Sequence, residues 1–229
     1  MRMIGISEPG LVHKCEGLCN EDCIMTGNTE RYRVIVLADG VSTCSCSGIG
    51  ARIACGKTMS YLLDDAEDIF GYDEKTIADY VLGLVNLAIC EEARSNGNDI
   101  RDYSSTLSAV LYDCETRNAM VFHLGDGLIL LTNSNYCKVI GKPYDHSDGT
   151  PVTTTEGAGK MSIIRKIDVS DGDYILIFSD GAWDQMYKKG SLMKDVMGFI
   201  INGKFDKLNE YIRNRVPEDD YSYIGMSLM

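Results

Sequence analysis

The chain has 229 residues, a formal net charge of −12, 45% hydrophobic residues and 24% charged residues. That length supports one sizeable core, and the acidic balance repels phosphate backbones, which argues against duplex nucleic acid as a partner. The opening run to Pro9 has one basic residue, then an acid and a proline, without an apolar core of signal length. No stretch approaches the ~20 apolar residues that cross a bilayer, so no membrane attachment is expected. The cytoplasm is the expected location, with the nine cysteines as reduced thiols. No linker divides the chain, and a single domain over 1–229 is expected.

Taken in order, Tyr32 to Ala38 is a β-branched apolar run and reads as a buried strand. Ile49 to Leu63 reads as a helix with small residues, Ala51, Ala54 and Gly56, on its packed side. Asp73 to Asn96 is the clearest helix: Ile77, Val81, Leu84 and Ala88 recur at helical spacing, Asp73 is a candidate N-cap and Gly97 a candidate stop. Strands are expected at Ser105 to Tyr112, Met120 to Leu131 and Tyr136 to Ile140, followed by a Gly- and Thr-rich loop from Gly141 to Gly159. Loops that long are more often functional than idle. Strands resume at Ser162 to Val169 and Tyr174 to Phe178, helices at Leu192 to Ile201 and Phe205 to Arg213, and Tyr221 to Leu228 is a closing strand. Consecutive groups of strands indicate an α+β chain with antiparallel sheets.

Three apolar runs end in Asp-Gly: at Asp39-Gly40, Asp126-Gly127 and Asp180-Gly181. Glu21-Asp22 precedes the first of these runs, and Asp219-Asp220 precedes the closing strand. Any one Asp-Gly taken alone is best explained as a turn, since glycine tolerates positive φ and aspartate tolerates tight bends. Strand ends cluster in a packed sheet, however, and several converging carboxylates need a cation. Hard oxygen ligands select Mg²⁺ or Mn²⁺. Two such ions can share a water, lower its pKa and neutralise an attacked phosphoryl group. The residues alone carry the reading to a two-metal hydrolase.

The order of these segments resembles the metal-dependent serine/threonine protein phosphatases of the type 2C class, over almost the whole chain. Asn20-Glu21-Asp22, Ala38-Asp39-Gly40-Val41, Ser104-Ser105-Thr106-Leu107, His123-Leu124-Gly125-Asp126, Phe178-Ser179-Asp180-Gly181-Ala182-Trp183-Asp184 and Asp219-Asp220 carry the likeness. The resemblance implies a four-layer αββα sandwich of two antiparallel sheets flanked by helices. It implies hydrolysis of phosphoserine or phosphothreonine on a phosphoprotein, with two Mn²⁺ or Mg²⁺ ions and in some members a third. Asp39 would bridge the ions and, with Asp180, be central to catalysis. Asp180 and Asp220 would hold one ion, the Gly40 carbonyl would help hold the other, and Asp22, with Glu21, would act directly or through water. Asp126 would join the third position. The loop from Gly141 would be a flap near substrate, and a partner kinase is left open.

Three positions depart from the family pattern. Gly17 stands where many members have a phosphate-gripping arginine, and His13 or Lys14 are the candidate substitutes. Val41 and Ser42 stand where many have a histidine, and Tyr221 where the closing element has asparagine. These departures motivate an alternative: a catalytically silent binding module on the same fold. A third reading, an iron–sulfur or thiol-redox protein, would rest on Cys15, Cys19, Cys23, Cys44 and Cys46, whose spacing matches no common signature. Buried small hydrophobes are the simpler account of those cysteines. His123 is expected to be a structural histidine, His146 a solvated flap residue and Trp183 a core anchor behind Asp180. Glu91-Glu92 is read as an exposed face and Asp64-Asp65 as a helix end. Asp184 is either a turn residue or a support for the metal site.

Overall fold

Alternate residues of Tyr32–Ala38 point to opposite sides, and both sets are apolar: Val34, Val36 and Ala38 on one, Ile35 and Leu37 on the other. Such a strand requires cover on both faces. The computed structural model, which describes residues 3–144, 149–188 and 191–228, provides that cover with a second sheet on one side and helices on the other.

In chain order the elements are β1 (Met3–Glu8), α1 (Leu11–Glu16), β2 (Cys23–Asn28), β3 (Tyr32–Ala38), α2 (Ser47–Asp64), α3 (Ala66–Ile69) and α4 (Glu74–Asn96). A 3₁₀ turn (Ile100–Tyr103) leads to β4 (Leu107–Asp113), β5 (Asn118–Leu124), β6 (Leu128–Thr132) and β7 (Cys137–Gly141). Then come α5 (Ala158–Met161), β8 (Ile163–Asp168), β9 (Tyr174–Phe178) and α6 (Asp180–Trp183). The remainder is a short hairpin of β10 (Tyr187–Lys188) and β11 (Ser191–Leu192), then α7 (Lys194–Ile201), α8 (Phe205–Arg213) and β12 (Tyr221–Ser227). One sheet has the order β1-β12-β9-β6-β7, the other β2-β3-β4-β5-β8, and neighbouring strands are antiparallel.

Three apolar layers follow from the strand alternation. Ile35, Leu37, Val110 and Val121 meet Ile129, Ile175, Ile177 and Ile224 between the sheets. Val34, Val36, Ala109 and Phe122 pack outward against α2 and α4 through Ala51, Ala54, Val81 and Ile89. Leu130, Leu176, Phe178 and Tyr223 pack outward against α7 and α8 through Val196, Ile200, Leu208 and Ile212. Each fully buried Leu, Ile or Phe contributes roughly 2 kcal/mol of transfer free energy, so the layers hold the helices to the sheets. This is the four-layer αββα sandwich that the resemblance implies.

Several elements differ from the sequence reading. In α4 the buried face is Ile77, Ala78, Val81, Leu82, Val85, Ile89 and Ala93, while Leu84 is exposed. The Asp73 cap is as expected, its carboxylate accepting the Thr76 N–H at 2.7 Å. In α2 the open space around Gly56 shows that it does not pack, whereas a Cβ on Gly50 would lie 1.9 Å from the Tyr103 carbonyl oxygen. Met120 to Leu131 is two strands in different sheets: the chain crosses from one sheet to the other at Gly125, whose φ of 115° suits glycine. The stretch from Gly141 to Gly159 contains the end of β7 and the start of α5, and its His146 lies outside the described residues. β1, α1 and β2 have no counterpart in the sequence reading.

Candidate metal centre

Each acid stands at the end of an element that fixes its backbone. Asp39 follows β3, and its N–H donates to Thr106 Oγ1 at 3.1 Å while its carbonyl accepts the Thr106 N–H at 2.8 Å. Asp126 follows the Gly125 crossing. Its carbonyl accepts the Trp183 indole N–H at 2.8 Å, and its carboxylate accepts the Thr150 hydroxyl at 3.0 Å. Trp183 therefore braces the Asp126 backbone, a more specific task than anchoring the core. Asp180 begins α6 after β9, and Asp22 precedes β2 with one carboxylate oxygen accepting the Ser179 hydroxyl at 3.1 Å.

These side chains converge. Asp39 lies between Asp180 and Asp22, near enough for a carboxyl proton to be shared with either, and Asp126 is close enough to repel both Asp39 and Asp180. Burial, and then the neighbouring carboxylates Asp22, Asp180 and Asp126, push Asp39 well above the usual carboxylate range. Asp22 is pushed up to about 7, first by burial. Asp180 is pushed up to about 6, first by burial and then by Asp126. The acids open on a cleft of about 360 Å³ lined by Asp39, Gly40, Asp126, Asp180 and Asp219, with Ser42, Cys44 and Thr106 also on its walls.

The donor set fits a hard divalent cation. The buried Asp22 Oδ1 has no hydrogen-bond partner, and acids that must otherwise share protons become good oxygen ligands once a cation replaces those protons. In their present rotamers the side chains line the cleft without closing: no three His, Cys, Asp or Glu among the described residues are drawn around one point.

Asp220 departs from its expected place. Its carboxylate accepts the Gly10 N–H at 2.8 Å, His13 Nδ1 at 2.8 Å and the Glu21 N–H at 2.6 Å, and it is only 4% exposed. Those three partners tie it to the segment before β2, away from the cleft. Asp219, which the sequence reading passed over, is exposed and lines the cleft beside Asp180. Two glycines permit this packing: a Cβ on Gly10 would lie 2.2 Å from the Asp219 carbonyl oxygen, and one on Gly181 would lie 2.1 Å from that of Asp220. Glu21 is half-buried, its pKa raised first by burial, with His13 Nε2 3.9 Å from its carboxylate.

Neither candidate for the missing phosphate clamp lines the cleft. His13 is held by Asp220, and Lys14 Nζ lies 5.3 Å from the centre of the Tyr221 ring. Gly17 ends α1 in the left-handed region, at φ 70°. The Tyr221 hydroxyl donates to Glu8 at 2.6 Å and braces β1 to β12, so its departure from the family pattern lies outside the cleft. Val41 and Ser42 line the cleft, as expected of residues following Asp39-Gly40. Asp184 is exposed, and its N–H bonds back to the Asp180 carbonyl at 2.9 Å. Cys15 and Cys19 are exposed and Cys23 is buried, so the buried-hydrophobe account holds for Cys23 and fails for the other two.

His123 is buried between Ser108 Oγ at 2.8 Å from Nδ1 and the Lys142 carbonyl at 3.0 Å from Nε2. The carbonyl requires a proton on Nε2, which leaves Nδ1 to accept from Ser108. Burial pushes His123 down to about 4. A depressed histidine contributes stability that is complete above its unfolded pKa of ~6.5 and disappears as pH falls through the folded value. The unfolding free energy of the wild type minus that of His123→Gln should therefore shrink by about 3 kcal/mol between pH 7 and pH 4. Paired urea titrations check this, and a pH-independent difference would contradict it.

A sequence profile of the family described as Protein phosphatase 2C matches residues 10–211. A rice protein (Oryza sativa subsp. japonica) named "Probable protein phosphatase 2C 71" is 26% identical over 171 residues, covering 72% of this chain but 34% of its own length. The chain thus spans about a third of that relative. The serine/threonine phosphatase PstP/Ppp of Mycobacterium tuberculosis superposes with a TM-score of 0.71 at 18% identity, covering 99% of this chain and 98% of that one. Serine/threonine phosphatase Stp1 of Staphylococcus aureus gives 0.71 at 14%, covering 100% and 95%. RsbX, solved in complex with magnesium, gives 0.66 at 13%, covering 99% and 94%. The shared architecture is that of the metal-dependent phosphatases. The chain belongs to the protein phosphatase 2C family.

Proposed function

We propose that this protein hydrolyses phosphoserine and phosphothreonine on protein substrates, using two Mn²⁺ or Mg²⁺ ions held in the acidic cleft. The observation that supports this most directly is the placement of Asp39 between Asp22 and Asp180, with Asp126 and Asp219 beside them. Ions held there would neutralise the carboxylates and the phosphoryl oxygens and would lower the pKa of bound water. Asp39, central to the group, would contact both ions. Asp180 and Asp219 would hold one, Asp22 and the Gly40 carbonyl the other, and Asp126 a third position.

The chain's own structure supplies the order this chemistry needs. Thr106, Trp183 and Thr150 fix Asp39 and Asp126 before any substrate arrives. Asp220, through Gly10, His13 and Glu21, fixes the segment that carries Asp22. The same reading takes 1–229 as one domain and places the protein in the cytoplasm, with a partner kinase left open. No helix among the described residues is long and apolar enough to cross a membrane.

Hydrolysis of a phosphothreonine peptide with and without Mn²⁺ tests the proposal, beside Asp180→Asn. Turnover that requires Mn²⁺ and is lost in the variant is the expected result. A folded protein that binds Mn²⁺ and releases no phosphate from any peptide would instead favour a silent module.

A further inference from the structure

The cleft contains four carboxylates, and among the described residues no lysine or arginine lines it. His13 and Lys14 are turned to Asp220 and Tyr221. A phosphoryl group has more oxygens than the cations alone satisfy, so its outward oxygen needs a donor from the protein. The hydroxyls on the cleft wall are the remaining source.

Two of the four hydroxyl protons are already committed. Ser104 Oγ donates to the Arg101 carbonyl at 2.7 Å and lies 2.6 Å from Thr154 Oγ1. Thr150 donates to Asp126 at 3.0 Å. Ser42 is exposed, so nothing in the protein fixes the direction of its hydroxyl. Thr106 is different. It is only 7% exposed, and its oxygen accepts the Asp39 N–H. Its methyl is wedged against Gly125, where an added Cβ would come within 2.6 Å of Cγ2. The side chain is thus fixed on two sides, and the hydroxyl proton cannot point back along the bond that the oxygen accepts. No acceptor for it is found among the described residues. A buried O–H without an acceptor is costly, and the cleft is the direction left to it.

We propose that Thr106 is a substrate-binding residue whose hydroxyl donates to a phosphoryl oxygen, the task a cationic side chain performs in relatives that keep one. This rests on the phosphatase reading of the cleft. It implies a site whose grip on phosphate comes from the ions and one neutral donor, with no fixed positive charge.

The test uses Mn²⁺-loaded protein. Inorganic phosphate is titrated by calorimetry, peptide hydrolysis is followed, and Mn²⁺ affinity is measured separately. In Thr106→Val, phosphate Kd and peptide KM should rise ~10-fold or more, as expected for losing a bond to a charged acceptor, with Mn²⁺ affinity unchanged. Thr106→Ser should restore both. In the wild type loaded with Mg²⁺, the Thr106 methyl resonance should shift when phosphate is added. Unchanged phosphate affinity in the valine variant, or a resonance that does not move, overturns the proposal. So does a phosphate effect that vanishes at saturating Mn²⁺, since Thr106 would then serve only the Asp39 amide. A wild type that holds Mn²⁺ yet binds no phosphate and turns over no peptide removes the phosphatase reading itself, and this proposal with it.

Discussion

Replacing Asp39 with asparagine is expected to abolish Mn²⁺-dependent turnover while making the metal-free protein more stable. Asp39 is half-buried at the cleft and repelled by Asp22, Asp180 and Asp126. The fold therefore holds a strained acid set in the absence of a cation. The pKa values of these acids are raised, so the stability linked to them is present at low pH and lost as pH rises through the folded values. For Asp22, a rise from 3.8 to about 7 corresponds to roughly 4 kcal/mol withheld at and above neutral pH. Removing the central carboxylate should make the metal-free protein more stable at pH 7.5, where the repulsion is greatest. The same change removes several kcal/mol of transition-state stabilisation, ~10³-fold or more in rate. Thermal unfolding with and without Mn²⁺ separates the effects: the wild type should gain strongly from the ion, and the variant should begin higher and gain little. A variant that is less stable without metal, or still active with it, would show that the acids are misassigned.

Asp219 and Asp220 should respond in opposite ways to the same substitution. Asp219→Asn should weaken Mn²⁺ binding and reduce turnover ~100-fold, with little change in melting temperature, because its carboxylate lines the cleft and is exposed. Asp220→Asn places an amide group among three donors, Gly10 N–H, His13 and Glu21 N–H. Losing charge-assisted bonds to buried partners costs about 2–4 kcal/mol, or about 5–10 °C in a chain of this length. Metal affinity in that variant should follow the loosened segment and fall modestly. If Asp220→Asn removed Mn²⁺ binding while leaving the melting temperature unchanged, the original assignment from sequence would stand.

This neighbour exchange shows where the sequence stopped being legible. The strands that carry Asp39 and Asp180 could be read because they are apolar on both faces, and a two-sided strand is a continuous apolar run whatever its partners. Their ends then located the acids. Asp219-Asp220 precedes a strand equally plainly, but which of two adjacent acids faces the cleft depends on Gly10 and Glu21, some 200 residues away. One signal was available: Asp219-Asp220 can be set on the family's closing Asp-Asn element with either acid in first place, and the register that puts the asparagine at Tyr221 leaves Asp219 out. Met120 to Leu131 was read as one strand because its apolar pattern barely breaks, although Gly125-Asp126-Gly127 is a turn signal at the point of crossing. β1 and β2 went unread for the opposite reason. Met3–Glu8 has only a few apolar residues, and Cys23–Asn28 contains Gly27, threonine and asparagine, a poor strand pattern that pairing with β12 and β3 overrides. In α4 the stripe was displaced because a helix with apolar residues on much of its circumference does not declare which arc is covered.

The position of β12 has a consequence for how the protein is made. It lies between β1 and β9, and the two acids before it anchor residues 10, 13 and 21 and complete the cleft. On the ribosome, then, β1 emerges first but lacks its partner until residues 219–227 have been synthesised. Until that moment Asp39 and Asp180 have been translated, but residues 10, 13 and 21 lack the Asp220 carboxylate that fastens them beside Asp22. A nascent chain should therefore be unable to capture metal or act on its neighbours, and competence should arise in one late step, as translation of the last strand closes the circuit between the two ends of the domain.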